Sequence, residues 1–289
     1  MYGKIKWIIK KVFLSLEGLW HIVIKAKSFD NYKIGNNSKI YILGNGPSLR
    51  NELDNNLNIF SCNDCLCVNW FPLTDEFFQI KPSYLALADP VFFADGNIGY
   101  DFIKTKSEQF FHVLSKQVDW ELVIIIPAQC IFDKRRVDLI KENSFIKIMK
   151  INADLFHGFD FLRDYFINKR LSSFHFQNVL VLALTAGIFM GYKQIFLLGC
   201  DHDWCKNLYV NDCNDVYIKD IHFYKDKSEG LVPMLKRPGQ FFSMSELFNA
   251  FSIDFVEYEK IEKYARRHEC EIINTVENSF IDAFKRGRI

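Results

Sequence analysis

The chain has 289 residues, enough for one large α/β domain or two modest ones with real cores. Its 36 Lys and Arg against 35 Asp and Glu leave a formal charge of +1, which argues against a wholesale nucleic-acid binder, and a hydrophobic share of 49% excludes bulk disorder. Aromatic residues reach 16%, a content that suits a bulky core or a surface meeting lipid or sugar and does not choose between them.

Residues 1–35 read as a unit of their own. Lys4, Lys6, Lys10, Lys11, Lys25, Lys27 and Lys33 face only Glu17 and Asp30, so the remainder of the chain is slightly acidic. The apolar stretch between Lys11 and Lys25 is interrupted by Glu17 and His21. It is shorter and more polar than the ~20 residues a membrane span needs, and no small-residue cleavage site follows it. A basic amphipathic helix bearing Trp7, Phe13 and Trp20 is expected. It could lie in the interface of an anionic leaflet, or pack on the domain with its lysines solvated.

Further along, Ser38–Gly44 reads as a buried strand ended by glycine, and Gly44-Asn-Gly-Pro-Ser48 as a turn into a helix, with Pro47 suited to the first helical turn. Asn58–Asn63, Tyr84–Asp89 and Glu121–Pro127 are the next strand candidates. Phe176–Met190 is long enough for a buried helix stopping at Gly191, and Gln194–Gly199 follows as another strand. From about 204 to 240 the pattern breaks down into a polar, Tyr- and Lys-bearing stretch that reads as a long loop or lid. Glu257–His268 reads as a charged amphipathic helix and Glu271–Thr275 as a last strand. Strands alternating with helices predict one Rossmann-like, doubly wound, mostly parallel α/β sheet over residues 36–289, with no internal repeat.

The eight cysteines sit mostly in apolar runs such as CNDCLCV, and Cys62, Cys65 and Cys67 have no downstream pair at zinc-ligand spacing. Reduced thiols acting as small buried hydrophobes are expected.

Three motifs could carry chemistry. In the GNGPS turn, Gly44, Asn45, Gly46 and Ser48 could bring backbone close to a ligand, with helix-terminal amides holding a phosphate; no Gly-Lys-Ser/Thr follows, so this is not a P-loop. After a buried strand, Gly199-Cys-Asp-His-Asp203 would emerge at the carboxyl edge of the sheet, where such folds bind ligands. Asp201 and Asp203 bracket His202 and could hold a divalent ion against a diphosphate. Within the lid, the stretch from Asp220 through His222 and Tyr224 to Lys225 offers a general base for a sugar hydroxyl and a hydroxyl donor for a leaving phosphate, while Lys236 and Arg237 could contact phosphate.

Taken together these residues resemble the bacterial sialyltransferases of glycosyltransferase family 42 and the related DUF115 proteins, over roughly residues 38–284. KIYILGNGPSLRNE resembles the family's opening strand and nucleotide-binding turn. Phe60-Ser-Cys-Asn63 resembles its second strand, with the Asn that approaches the nucleotide. Ala88-Asp89-Pro90 matches an Asn-Pro segment, with Asp89 in place of Asn. Residues 186–201, AGIFMGYKQIFLLGCD, resemble a helix–GYKEI–strand unit, and EKYARRHECEIINTVENSFIDAF the closing segment. Gln177 and Asn178 stand where a Ser/Thr-Ser-Gly precedes the helix, and Asp201-His-Asp-Trp204 looks more like the DUF115 branch.

The resemblance implies a variant GT-A-type fold and inverting transfer of sialic acid or a related sugar from a CMP-activated donor without a metal. Its catalytic His falls on His222, with Tyr224 and His202 as further candidates. It implies a glycan or glycolipid acceptor in bacterial surface-polysaccharide or lipooligosaccharide synthesis, in the cytoplasm at the inner face of the inner membrane. Self-association is left open. The rivals are a transferase using a UDP- or GDP-sugar with Mg²⁺ or Mn²⁺ on Asp201 and Asp203, a DUF115-like pyrophosphokinase acting on a pterin, and a non-catalytic assembly partner.

Overall fold

The computed structural model describes residues 2–27, 38–93, 101–219, 221–224, 230–237 and 239–289. Asp30, Lys33, Asp220 and Lys225, named above, lie outside them. Helix α1 (Tyr2–Lys25) comes first, followed by β1 (Lys39–Leu43), α2 (Leu49–Ser61), β2 (Cys65–Val68), α3 (Asp75–Ile80) and β3 (Tyr84–Ala86). Next are α4 (Asp101–Lys116), β4 (Leu122–Pro127), α5 (Lys134–Lys141), β5 (Ile146–Ile151), α6 (Asp160–Asn168), α7 (Val179–Met190) and β6 (Gln194–Leu198). Five short strands follow: β7 (Leu208–Val210), β8 (Val216–Lys219), β9 (Leu231–Pro233), β10 (Leu235–Arg237) and β11 (Gln240–Phe241). Helix α8 (Met244–Arg267) then leads to β12 (Glu271–Asn274) and β13 (Lys285–Arg286).

Eight strands form one sheet in the order β13-β12-β6-β1-β2-β3-β4-β5, every neighbouring pair parallel. Parallel strands need crossovers, and the helices supplying them cover both faces, so the inner strands read as continuous apolar runs. Alternate residues separate the two cores. Ile40, Ile42, Leu66 and Val68 join the side built on α7 and α8, while Tyr41, Leu43, Cys65 and Cys67 join the side built on α2 to α5. Burial pushes the Cys65 and Cys67 thiols well up, as expected of thiols used as packing groups. Helix α7 is apolar all round, and Leu180 to Met190 are all buried, as a helix between a sheet and α8 requires.

Four readings need correction. Asn58–Asn63 is not a strand: residues 58–61 end α2, whose Leu49, Leu53 and Phe60 face the core, and the strand is the CLCV run just after. Strand β5 was not expected, because its sequence IKIMKI alternates with lysine as befits an outer strand. The stretch from 204 to 240 is no structureless loop: β7, β8 and β9 form a small antiparallel sheet, and β10 and β11 a two-stranded ribbon. Helix α8 also begins well before Glu257, at a capping box between Ser243 and Glu246.

Candidate active site

The chain builds β1 to β5 outward in one direction, then returns with β6 on the other side of β1. Loops leaving the carboxyl ends of β1 and β6 part there, which is where open α/β sheets place their ligand crevice. A cavity of about 260 Å³ occupies this point. Its walls are Gly44–Pro47 after β1, Val68 and Asn69 at the end of β2, the first residues of α7, Gly199–Trp204 after β6, and Ile218, Lys219, Ile221 and His222 at and after the end of β8.

The glycines of the GNGPS turn prove to be set by the neighbouring loop. A Cβ at Gly44 would stand 2.4 Å from the Gly199 carbonyl oxygen, and one at Gly46 would stand 2.0 Å from Asp201 Oδ2. Gly199 itself has φ +62°, and a Cβ there would meet the Gly44 carbonyl oxygen at 2.6 Å. The two loops are thus interlocked backbone to backbone. Ser48 does not line the cavity: its hydroxyl donates to Asp201 Oδ2 at 2.8 Å, and its amide also serves that carboxylate. The Asp201 carboxyl group therefore occupies the start of α2, the seat the sequence offered to phosphate. Burial raises its pKa, with the Ser48 bonds pulling the other way and Asp203 adding to the rise.

At the start of α7 a hydrogen-bond relay is fixed from one end. Asn178 caps the helix, its Oδ1 accepting from the amides of Leu180 at 2.8 Å and Val181 at 3.3 Å. Its Nδ2 must then point outward, and it donates to Asp254 Oδ1 at 2.5 Å and to the Tyr258 hydroxyl oxygen at 2.7 Å. The Tyr258 proton is satisfied among the described residues when it is donated to His202 Nδ1, 2.9 Å away. His202 is consequently the neutral Nε2–H tautomer, a hydrogen-bond donor at its other ring nitrogen. Burial agrees with this, lowering its pKa to about 3. The same burial, opposed by the Asn178 bond and reinforced by Glu257, raises Asp254 to about 7. His202 has φ +52°, a conformation uncommon for a residue with a Cβ, and its ring packs on Trp204 at 4.3 Å between centroids.

His222 reaches the cavity because its neighbour is anchored. The Phe223 amide donates to the Asn45 carbonyl at 3.1 Å, and its buried ring packs on Phe71 at 5.4 Å. His222 stacks on Tyr224 at 5.0 Å, so Tyr224 backs the histidine rather than lining the cavity. Asn45 Nδ2 donates to the Val68 carbonyl at 3.2 Å, which turns Oδ1 the other way. The Oδ1 atoms of Asn45 and Asn69 are both buried and have no partner among the described residues. Each is an unmet acceptor of the kind a ligand N–H or O–H would satisfy.

The structure thus gathers Gly44, Asn45, Gly46, Asn178, Asp201, Asp203, His202 and His222 at one cavity and leaves other candidates outside it. Asn63 precedes β2, at the opposite edge of the sheet, and donates to the Ile59 carbonyl at 2.8 Å; Asn69, following the same strand, takes the place expected of it. Asp89 caps the turn at Pro90–Phe92. The Gln177 amide bonds the His175 carbonyl, and Gln177 does not line the cavity. Lys236 and Arg237 lie on the β10–β11 ribbon, paired with Glu246 and Gln240. Asp203 pairs with Lys206 at 3.2 Å, and among the described residues no three His, Cys, Asp or Glu side chains converge as a metal site. Sequence reasoning missed Asn69, Asp254 and Tyr258. An Asn closing a buried strand was a readable signal for the first, whereas nothing marked the other two.

No protein-family model and no curated protein matches the sequence. Among solved structures, a similar one is the MAf glycosyltransferase from Magnetospirillum magneticum AMB-1, 10% identical, with a TM-score of 0.48. The match covers 96% of this chain and 38% of that one, so the chain spans well under half the length of that protein.

Proposed function

We propose that the chain is an inverting glycosyltransferase whose donor is a CMP-activated sialic acid or related sugar and whose acceptor is a glycan or glycolipid hydroxyl. The observation that carries this reading is one cavity at the switch point lined by two asparagines, each with an unmet side-chain oxygen, and by two histidines. The oxygens of Asn45 and Asn69 suit the amino and hydroxyl donors of a nucleoside. At about 260 Å³ the cavity falls just below the ~300–1,000 Å³ usual for small-molecule sites, so a nucleoside would fill it and the sugar would project toward His222.

In this reading His222 takes the proton of the acceptor hydroxyl as that oxygen attacks the anomeric carbon from the face opposite the phosphate. The anomeric C–O bond to phosphate breaks with its electron pair, and the Nε2–H of His202 donates to the departing oxygen. A neutral donor locked in place by Tyr258 serves an oxyanion without itself needing to titrate. General-base help is worth ~10²–10⁴-fold, so His222→Ala should lose that much turnover while still binding nucleotide.

The test is calorimetric titration with CMP, CDP, UDP, GDP and ATP, each in EDTA and in Mn²⁺. The reading expects CMP to bind in EDTA and the affinity to fall about tenfold in Asn69→Gly, the loss of roughly one hydrogen bond. UDP or GDP binding that requires Mn²⁺ would replace it with the metal-dependent reading on Asp201 and Asp203.

A further inference from the structure

Helix α1 docks on the body through a single stripe. Lys11 Nζ donates to the Gly158 carbonyl at 2.7 Å, and Ser15 Oγ accepts from the Phe159 amide at 3.2 Å. Gly18 lies so close to Phe156 that a Cβ would stand 2.6 Å from its ring, and Ile22 is buried with Leu155, Phe156 and Phe166. Spacings of four, three and four residues place these on one line along the helix. The other side has the opposite of the usual composition. Ile5, Ile9, Phe13, Leu16, Trp20 and Val23 all point to solvent, with Phe13 67%, Trp20 65% and Val23 79% exposed. At 100° per residue they fill an arc about 80° wide, turned away from the docked stripe. An apolar patch along a 24-residue helix, ~36 Å in length, is larger than a soluble surface ordinarily leaves uncovered.

The charges indicate what covers it. Lys6 and Lys10 border one edge of the arc with Glu17 between them, Lys4 and Lys25 stand on the docked side and Lys27 follows the helix, so residues 2–27 carry six lysines against one Glu. A second copy packed on this face would bring one strongly basic segment against another. A negatively charged surface would meet the same segment favourably, at about 1 kcal/mol for each lysine near it. No helix among the described residues is long and apolar enough to cross a membrane. We propose that this face of α1 lies flat in the headgroup region of an anionic phospholipid bilayer, the apolar arc ~5–10 Å deep and the lysines at the phosphates. The inference does not depend on what the cavity binds.

The test uses the full chain with sedimented vesicles of pure phosphatidylcholine and of phosphatidylcholine with one-third phosphatidylglycerol. Partition into the anionic vesicles should exceed that into neutral ones at least ~10-fold and fall in 0.5 M salt. Phe13→Glu with Trp20→Glu should lower it at least ~10-fold on both kinds of vesicle, whereas Lys6→Glu with Lys10→Glu should do so on the anionic ones alone. Brominated acyl chains should quench an emission component that Trp20→Phe removes. All of these side chains are solvent-exposed, so melting temperatures should stay at the wild-type value. Absence of vesicle binding would overturn the proposal. So would equal binding to both vesicle types, or a lipid-free dimer that Phe13→Glu dissociates.

Discussion

The Tyr258 hydroxyl lies 2.9 Å from His202 Nδ1 and accepts from Asn178 at 2.7 Å, so donation to the histidine is the arrangement that gives the Tyr258 proton an acceptor among the described residues. A helix cap is thereby linked to which nitrogen of a cavity histidine carries the proton. Tyr258→Phe should release that choice. Nitrogen-15 spectra of His202 should show one Nε2–H tautomer in the wild type and a mixture in the variant. Turnover should fall at least tenfold while stability falls by about 1 kcal/mol for the lost bond. An unchanged single tautomer would show that Tyr258 does not set it.

The pH dependence of stability should carry two opposed contributions. His202 falls on folding from 6.5 to about 3, so between those values the unfolded chain holds the proton; its contribution is complete above pH 6.5 and is lost as pH falls toward 3. Asp254 rises from 3.8 to about 7, so there the native state holds the proton; its contribution is complete below pH 3.8 and is lost as pH rises through 7. Asp254→Asn removes the second contribution alone. Urea melts should therefore show the variant gaining on the wild type between pH 5 and pH 8, and a constant difference would disprove the buried acid.

Removing an unmet buried oxygen should weaken binding without weakening the fold. Asn69 has φ +49°, so glycine is the replacement that keeps its backbone relaxed. Asn69→Gly should bind nucleotide about tenfold less tightly yet unfold within about 1 kcal/mol of the wild type, because the oxygen lost has no partner among the described residues. A large loss of stability would mean that Asn69 supports the fold instead.

The interlocked loops predict the reverse pattern. Gly46→Ala pushes a methyl group onto Asp201, which can swing only by leaving Ser48, whereas Gly44→Ala meets the Gly199 carbonyl, which is backbone. Both should destabilise, Gly44→Ala the more, by about 1–3 kcal/mol of overpacking, read from denaturation midpoints. Lys236→Ala, by contrast, should leave nucleotide affinity within twofold, since Lys236 lies on the ribbon paired with Glu246.

How much of this could be read in advance followed from burial. Strands β1, β4 and β6 and helix α7 are apolar runs closed by Gly or Pro, and no other structure suits such runs in a chain of this composition. Strand β2 was misplaced because NIFSCN and CLCV are both short apolar runs a few residues apart. Asn63 was carried to the wrong edge of the sheet with it. In the small sheet, β7 to β9 are three or four residues each, too brief to show a period of two. Gly44 and Gly46 were recognised as special, but the atoms that demand glycine there lie more than 150 residues onward, at Gly199 and Asp201. Asp254 and Tyr258 sit in a long helix that carries several other charges, and only the fold brings them to Asn178 and His202.

The order of strands leaves β5 as the outer member at one end of the sheet, where a row of backbone amides and carbonyls faces away from any neighbouring strand. Such a row is a template on which another chain can continue the sheet. Lys147 and Lys150 stand along it, between Ile146, Ile148 and Ile151. Charged side chains on an edge strand disfavour such pairing, so the lysines that hid β5 in the sequence also make this edge a poorer template.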